Sequence, residues 1–270
     1  MLTFLFWNVN KKNLDDLIAD LGAAHNVDIM MLAECGSEPF ALLERLNRGA
    51  MFPFEHAPTM SAGLEIFCRF SPDFLIAQFD SPRLTIKAVA LPARPEFVLA
   101  VVHFPSKLYW SPDSQALECT RLSSEIRRVE GNRGHLRTVL VGDLNMNPFE
   151  TGVVGAIGLN ATMARAVARR RTRTVQAEEY PFFYNPMWSY LGDGERRACG
   201  TYYYESAEHV SYYWHMFDQV MVRPDLLPQL PGDQVKVITE TPSTSLLTAD
   251  GRPNRVAGSD HLPLLFKLDL

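Results

Sequence analysis

Asp143 and Asn145 stand two apart in the stretch VLVGDLNMNPFE (Val139–Glu150), an aliphatic run that stops at Gly142 and turns at Pro148. On extended chain, side chains two residues apart share a face, so a carboxylate and a carboxamide here converge on one point. Such a pair can orient and deprotonate a water molecule. The same side chains can equally do no more than bond backbone in a strand-to-loop turn, and within this stretch alone the two readings weigh the same. Comparable residues close other apolar runs: Asn8 after LTFLFW, Glu34 after VDIMMLA and His103 after FVLAVV. Asp218 opens DQVMV, and Asp260 and His261 precede LPLLFKL. Carboxylates with carboxamide oxygens are the hard donors that Mg²⁺ or Mn²⁺ prefers, and such an ion neutralises charge on a phosphoryl oxygen.

The runs that carry these residues read as strands. Leu2–Trp7 is apolar on both faces, a helix follows with Leu14, Leu17, Ile18 and Leu21 on one stripe, and Val27–Ala33 is a second buried strand. Strand, helix, strand within about 35 residues is a crossover unit. Gly63–Phe67, Phe74–Phe79, Leu84–Leu91 and Phe97–His103 are successive strands whose short Pro-containing turns leave no room for helices, which implies antiparallel hairpins. Ser111 and Pro112 cap a helix whose apolar side runs through Ala116, Cys119, Leu122, Ile126 and Val129. Phe149–Arg171 is expected to be helical in two pieces broken near Gly158, and the aromatic stretch Tyr180–Leu191 to be an ordered loop. Thr201–Tyr204, Phe217–Val222, Asp233–Ile238 and Leu262–Leu268 complete the strands.

A length of 270 residues suits one large domain or two small ones, and no linker or repeat divides the chain, so a single domain over 1–270 is expected. No apolar run approaches the roughly 18 residues that span a bilayer, and MLTFLFWNV lacks a basic leader and reads as a first strand. The four cysteines are far apart with no C-x-x-C pair, which points to reduced thiols in a cytoplasmic protein rather than disulfides or a cysteine zinc site. A net charge of −5 does not attract polyanions as a whole, so any nucleic-acid contact needs a local basic patch. Arg165, Arg169, Arg170, Arg171 and Arg173 form the one basic cluster.

The motifs WNVN, LAEC, VVHFP, VGDLNMNP, FDQVMV and GSDHLPL, in this order from Asn8 to His261, resemble those of the endonuclease/exonuclease/phosphatase superfamily, which includes deoxyribonuclease I-like and exonuclease III-like enzymes. GDLN or GSDH alone is short enough to arise by chance; the ordered set at strand ends is far more specific. The resemblance implies an α+β four-layer sandwich, two mixed, mainly antiparallel sheets packed face to face with helices outside. It also implies roles. Glu34 is the leading metal ligand, supported by Asn8 and Asp260; Asp143, beside Asn145, activates water for in-line attack on phosphorus. His261 and His103 bond phosphate oxygens, and Asp218 orients His261. Asn10 departs from the pattern where exonuclease III-like members carry aspartate, and Met216 where many relatives carry arginine.

Singly, each residue has an ordinary explanation in a solvated loop or capped turn; together, in family order, they favour a shared site. Shared catalytic residues do not name a substrate. The leading expectation is a nuclease, with Arg165, Arg169 and Arg170 gripping backbone phosphates and aromatics such as Phe182, Phe183, Tyr184 and Trp188 stacking bases. A phosphoesterase acting on a small-molecule or lipid-headgroup phosphate is the alternative, and a non-catalytic binding module a third reading. No stable membrane association is expected.

Overall fold

The computed structural model describes residues 1–61, 63–193 and 198–270. Strand β1 (Leu2–Asn8) is buried along its whole length, because it lies between a parallel neighbour, β2 (Ile29–Ala33), and an antiparallel one, β17 (Leu264–Leu268). β4 (Leu64–Cys68) and the short β3 (Glu55–His56) extend this sheet on one side and β16 (Val235–Val237) on the other, in the order β16-β17-β1-β2-β4-β3. Helix α1 (Asp15–Ala24) makes the crossover from β1 to β2, and α2 (Pro39–Leu46) packs beside it.

The second sheet has the order β5-β6-β7-β8-β15-β12-β9. Its strands are β5 (Leu75–Ser81), β6 (Leu84–Val89), β7 (Phe97–His103), β8 (Thr138–Asp143), β15 (Asp218–Val222), β12 (Phe183–Tyr184) and β9 (Ala161–Thr162). β5, β6 and β7 are antiparallel, as their short turns require, whereas β7 and β8 are parallel and joined through α3 (Pro112–Arg133). The Ser111 hydroxyl accepts from the Ser114 amide at the start of α3, Pro112 occupies its first turn, and Gly134 ends it in the left-handed region at φ 70°. Two ribbons stand apart: β10 (Thr172–Val175) with β11 (Glu178–Pro181), and β13 (Tyr202–Tyr204) with β14 (Tyr213–His215).

Period-two alternation along the central strands builds three apolar layers. Phe4 and Phe6 of β1 meet Leu99, Val101, Val139, Val141, Val220 and Val222 of the second sheet in the core between sheets. Phe4 stacks on Phe266 and meets Phe97 across the gap edge-on, with centroids 6.2 Å apart. The other face of β1, through Leu5 and Trp7, packs with Ile18, Leu21, Leu42 and Leu46 of α1 and α2. Val98, Ala100 and Leu140 pack with Cys119, Leu122, Ile126 and Val129 of α3. Helices, sheet, sheet and helix are the four layers. Among the described residues no helix is long and apolar enough to cross a membrane.

Three segments differ from expectation. β4 and β5 do not form a hairpin, because the 3-10 turn Pro72–Phe74 carries the chain from the first sheet to the second. Phe149–Arg171 holds only α4 (Thr151–Val154) and α5 (Arg165–Ala168), with β9 between them. Gly152, Gly155 and Gly158 let the chain close on itself: the Leu159 amide donates to the Gly152 carbonyl, and a Cβ on Gly158 would lie 2.2 Å from that same oxygen. Tyr180–Leu191 is not a loop throughout. Its start belongs to β11, Phe183–Tyr184 is β12, and Pro186–Tyr190 is a 3-10 turn. Strands of two to four residues are set by cross-strand partners, here Ala161 and Val222, and are too short to show a period.

Candidate active site

The sheet registers assemble the site. His103 of β7 lies beside Asp143 of β8, and Asp143 lies opposite Asp218 of β15, so three polar residues form one row across the second sheet. Each sits two residues beyond a valine of the core between the sheets, Val101, Val141 and Val220, or precedes it by two, and therefore points to the same side. Asn8 does likewise in the first sheet, following Phe4 and Phe6, and its backbone partner Ala33 places Glu34 at the next position. Where the apolar filling ends, the two polar rows meet.

Gly142 makes the row of the second sheet possible. Its φ of 151° and its approach to β7 leave no room for a side chain, since a Cβ there would stand 1.9 Å from the Val102 carbonyl oxygen. Just beyond it, Asn145 adopts φ 49° and folds back on Asp143. The Asn145 amide donates to Asp143 Oδ1 (2.8 Å), and its side-chain Nδ2 donates to Asp143 Oδ2 (3.1 Å) and to the Phe104 carbonyl (2.8 Å). The pair converges through a tight turn rather than along extended chain. Glu34 also takes a left-handed backbone, φ 50°, a strain on the order of 1–3 kcal/mol for such a residue, pinned by its amide on the Gly63 carbonyl and its carbonyl on the Lys11 amide.

Asp143 is fully buried and lies at the centre of the site. Asn8 Nδ2 donates to its Oδ2 (2.9 Å), and the Nε2 atoms of His261 and His103 each lie 3.9 Å from that oxygen. His261 Nδ1 meets Asp218 Oδ2 at 2.8 Å, and His103 Nε2 meets Glu34 Oε1 at 3.3 Å. Burial raises the Asp143 carboxyl above the ordinary range, and the His261 and His103 charges oppose that rise. Burial works against the His261 cation, but Asp218 and Asp143 outweigh it and push the imidazole up to about 10. His103 follows the same pattern: burial lowers it, and Glu34 with Asp143 raises it overall. Glu34 is held below the usual carboxylate range chiefly by its bond to His103. Buried carboxylates and imidazolium ions thus stabilise one another.

Asp143, Asn145, His103 and His261 line a cleft of about 690 Å³, to which Glu34, Asp260, Asn8 and Asn10 also contribute. Glu34 and Asp260 present carboxylate oxygens there, the donor chemistry a hard divalent cation requires. Asn8 turns its amide nitrogen to Asp143 and its oxygen to the Asn10 amide, so it steadies the carboxylate rather than offering an oxygen to the cleft. Ligand atoms of Asp143, Asp218 and His261 also lie within 4.8 Å of one another. Within this trio His261 Nδ1 is bonded to Asp218 and Nε2 faces Asp143, so the three side chains form one connected polar row.

The arginine cluster lies elsewhere. Arg165 donates to the carbonyls of Leu227 and Leu230 and covers the Tyr184 ring, and Arg171 pairs with Asp225. Tyr184 pairs with Val222, at the end of β15 opposite Asp218, so the cluster sits at the far end of the sheet. Arg169 and Arg170 are exposed on the same segment, and Trp188 packs against Phe149. None of Arg165, Arg169, Arg170 and Trp188 lines the cleft. Its wall instead includes Tyr202, Tyr204, His215 and Phe217, together with Arg83, Lys107 and Tyr109. The signal that could have found them is the spacing of His215 and Phe217 around the Met216 departure, just before Asp218.

Residues 5–261 match a family model described as Endonuclease/Exonuclease/phosphatase family. No curated protein matches the sequence. Among solved structures, an AP endonuclease from Archaeoglobus fulgidus is 14% identical with a TM-score of 0.58, covering 100% of both chains. TDP2 of D. rerio, complexed with single-strand DNA product, is 17% identical with a TM-score of 0.56, covering 100% of this chain and 99% of that one. The 3′ phosphatase NExo from Neisseria, bound to a product DNA hairpin, is 17% identical with a TM-score of 0.55, covering 100% of both. Likeness at this identity establishes the shared two-sheet fold.

Proposed function

The chain belongs to the Endonuclease/Exonuclease/phosphatase family, and we propose that it is a divalent-metal-dependent phosphodiester hydrolase acting on nucleic acid. The observation that carries this reading is Asp143: a buried carboxyl group fixed by Asn8 and Asn145, with two imidazole rings 3.9 Å away, at the base of an open cleft. Solved relatives of the same fold include two that hold DNA products, which supports a nucleic-acid substrate.

In this mechanism Asp143 accepts the proton of the attacking water. Its raised basicity suits that task, and Asn8 and Asn145 keep the accepting oxygen in place. His261 and His103, both favoured as cations, donate to the phosphoryl oxygens as charge builds on them. Asp218 holds the His261 ring by Nδ1 and leaves Nε2 toward the phosphate. Glu34 and Asp260 would hold Mg²⁺ or Mn²⁺; when bound, the ion would neutralise charge on the phosphate. A small phosphate ester is the second reading, favoured by the placement of the arginine cluster away from the cleft.

The test is turnover of single-stranded DNA, duplex DNA, RNA, inositol polyphosphates and bis-p-nitrophenyl phosphate with Mg²⁺ or Mn²⁺. We expect a nucleic acid to be cleaved and Asp143→Asn and Glu34→Ala each to lower the rate by about 10²–10⁴-fold. Activity that survives Asp143→Asn in folded protein sinks the mechanism. Turnover confined to inositol polyphosphates or the small diester makes the second reading the correct one.

A further inference from the structure

His215 closes β14 and lines the cleft. Its ring stacks on Phe217 with centroids 4.6 Å apart and lies 6.3 Å from Tyr202, whose ring meets His261 at 4.7 Å. His215 is thus one ring removed from the reacting centre along the cleft wall.

Its tautomer follows from Asn147, which is buried. The Met216 amide donates to Asn147 Oδ1 at 2.9 Å, and since a backbone N–H can only donate, this fixes which end of the carboxamide is oxygen. Asn147 Nδ2 then has two hydrogens to place. One reaches Glu150 Oε1 (3.3 Å), and the other faces His215 Nδ1 (3.0 Å). Nδ1 must therefore accept, and the proton of a neutral imidazole sits on Nε2. Charging the ring would set an Nδ1 proton against the amide hydrogens. Lys107, which pairs with Glu150, adds a nearby positive charge; burial and Lys107 together lower the imidazole to about 4, with Glu150 alone opposing. Nε2 has no hydrogen-bond partner among the described residues and is not occluded, so an oriented donor borders the cleft unused.

We propose that His215 is a substrate-contacting residue, a neutral imidazole whose Nε2–H donates to an ester or sugar oxygen of the nucleotide next to the scissile phosphate. Asn147 is its positioning residue. The assignment rests on the nucleic-acid reading above and adds to it a contact beyond the catalytic centre, one that selects by direction rather than by charge.

Three variants separate donation from packing. His215→Phe keeps a ring against Phe217 and removes the donor, His215→Gln returns an N–H near the place of Nε2, and His215→Asn returns one near Nδ1 instead. On a short single-stranded oligonucleotide, KM rises about tenfold in the Phe and Asn variants with kcat changed about twofold or less, while the Gln variant stays within about threefold in KM. Imidazole ¹⁵N spectra of the wild type show the Nε2–H tautomer of His215 at pH 6 and at pH 8. An Nδ1–H or charged His215 at neutral pH overturns the inference, as does a wild-type KM in His215→Phe. Oligonucleotide turnover that requires Asp143 but ignores His215 fails this inference alone. Turnover of small phosphate esters only, or of no phosphate ester, fails the nucleic-acid reading and carries the inference with it.

Discussion

At the scale of single residues, the Asp218–His261 pair controls the charge beside Asp143. His261 binds its proton more tightly in the folded protein, its pKa rising from 6.5 to about 10, so its contribution to stability is complete below the unfolded value and is lost as the pH rises toward the folded one. Asp218→Asn removes the principal partner and keeps the shape. We expect the wild type to exceed this variant in urea midpoint near pH 6, and the difference to shrink between pH 6.5 and about 10. The same substitution lowers kcat by about 10²–10⁴-fold, because the imidazolium and its orientation are lost together. A midpoint difference independent of pH across that window would show that Asp218 acts by packing alone.

Among elements, α3 and β15 are joined by a fully buried ion pair. Arg223, at the end of β15, donates from Nε to Glu130 Oε1 of α3 (2.8 Å) and from Nη1 to the carbonyls of Pro181 and Phe182, with its guanidinium 3.9 Å from the Phe183 ring centroid. Thr138 of β8 donates to the same carboxylate oxygen of Glu130. The pair thus ties the helix layer to the end of the sheet away from the cleft. Glu130→Leu strands the guanidinium and should cost about 3–5 kcal/mol in chemical denaturation. The double variant Glu130→Leu, Arg223→Met should recover most of that loss, since neither charge is then left unpaired. A double variant as unstable as the single one would point instead to lost contacts with Pro181 and Phe182.

On the scale of the whole molecule, the cleft lies at the strand ends of two packed sheets, so a cation held by Glu34 from the first sheet and facing Asp143 from the second, as proposed, would link their stabilities. Ligand that binds the folded state alone stabilises it by mass action, about 2.7 kcal/mol at 100 times Kd. For a chain of this size that is a rise in Tm of about 5–10 °C. Thermal unfolding with Mg²⁺ or Mn²⁺ should show this rise in the wild type and lose it in Glu34→Ala. An equal rise in both would remove Glu34 from the metal site. Arg83, Lys107 and the aromatic wall line the cleft, whereas the arginine cluster lies at the far end of the sheet.

The amino-acid sequence by itself determined which residues end the central strands. Asn8 follows Phe4 and Phe6, Asp143 follows Val139 and Val141, and His103 follows Leu99 and Val101, all by the period of two that also builds the core. That period is local chain geometry and needs no partner to be legible. Cap chemistry at Ser111 and Pro112 is local in the same way, and α3 starts where it predicts. The tertiary structure alone decided what faces what. The row His103–Asp143–Asp218 depends on the register of three strands, and its meeting with Asn8 and Glu34 depends on how two sheets pack. The arginines and the aromatics of Tyr180–Leu191 have suitable types for binding a polyanion, yet they sit on the end of the sheet opposite Asp218 or pack away from the cleft. Conversely, His215 carries no motif of its own, and its proton is placed by an asparagine 68 positions away in the chain. Contacts at that separation are set by long-range packing and pairing, which the spacing of residues along the chain does not encode.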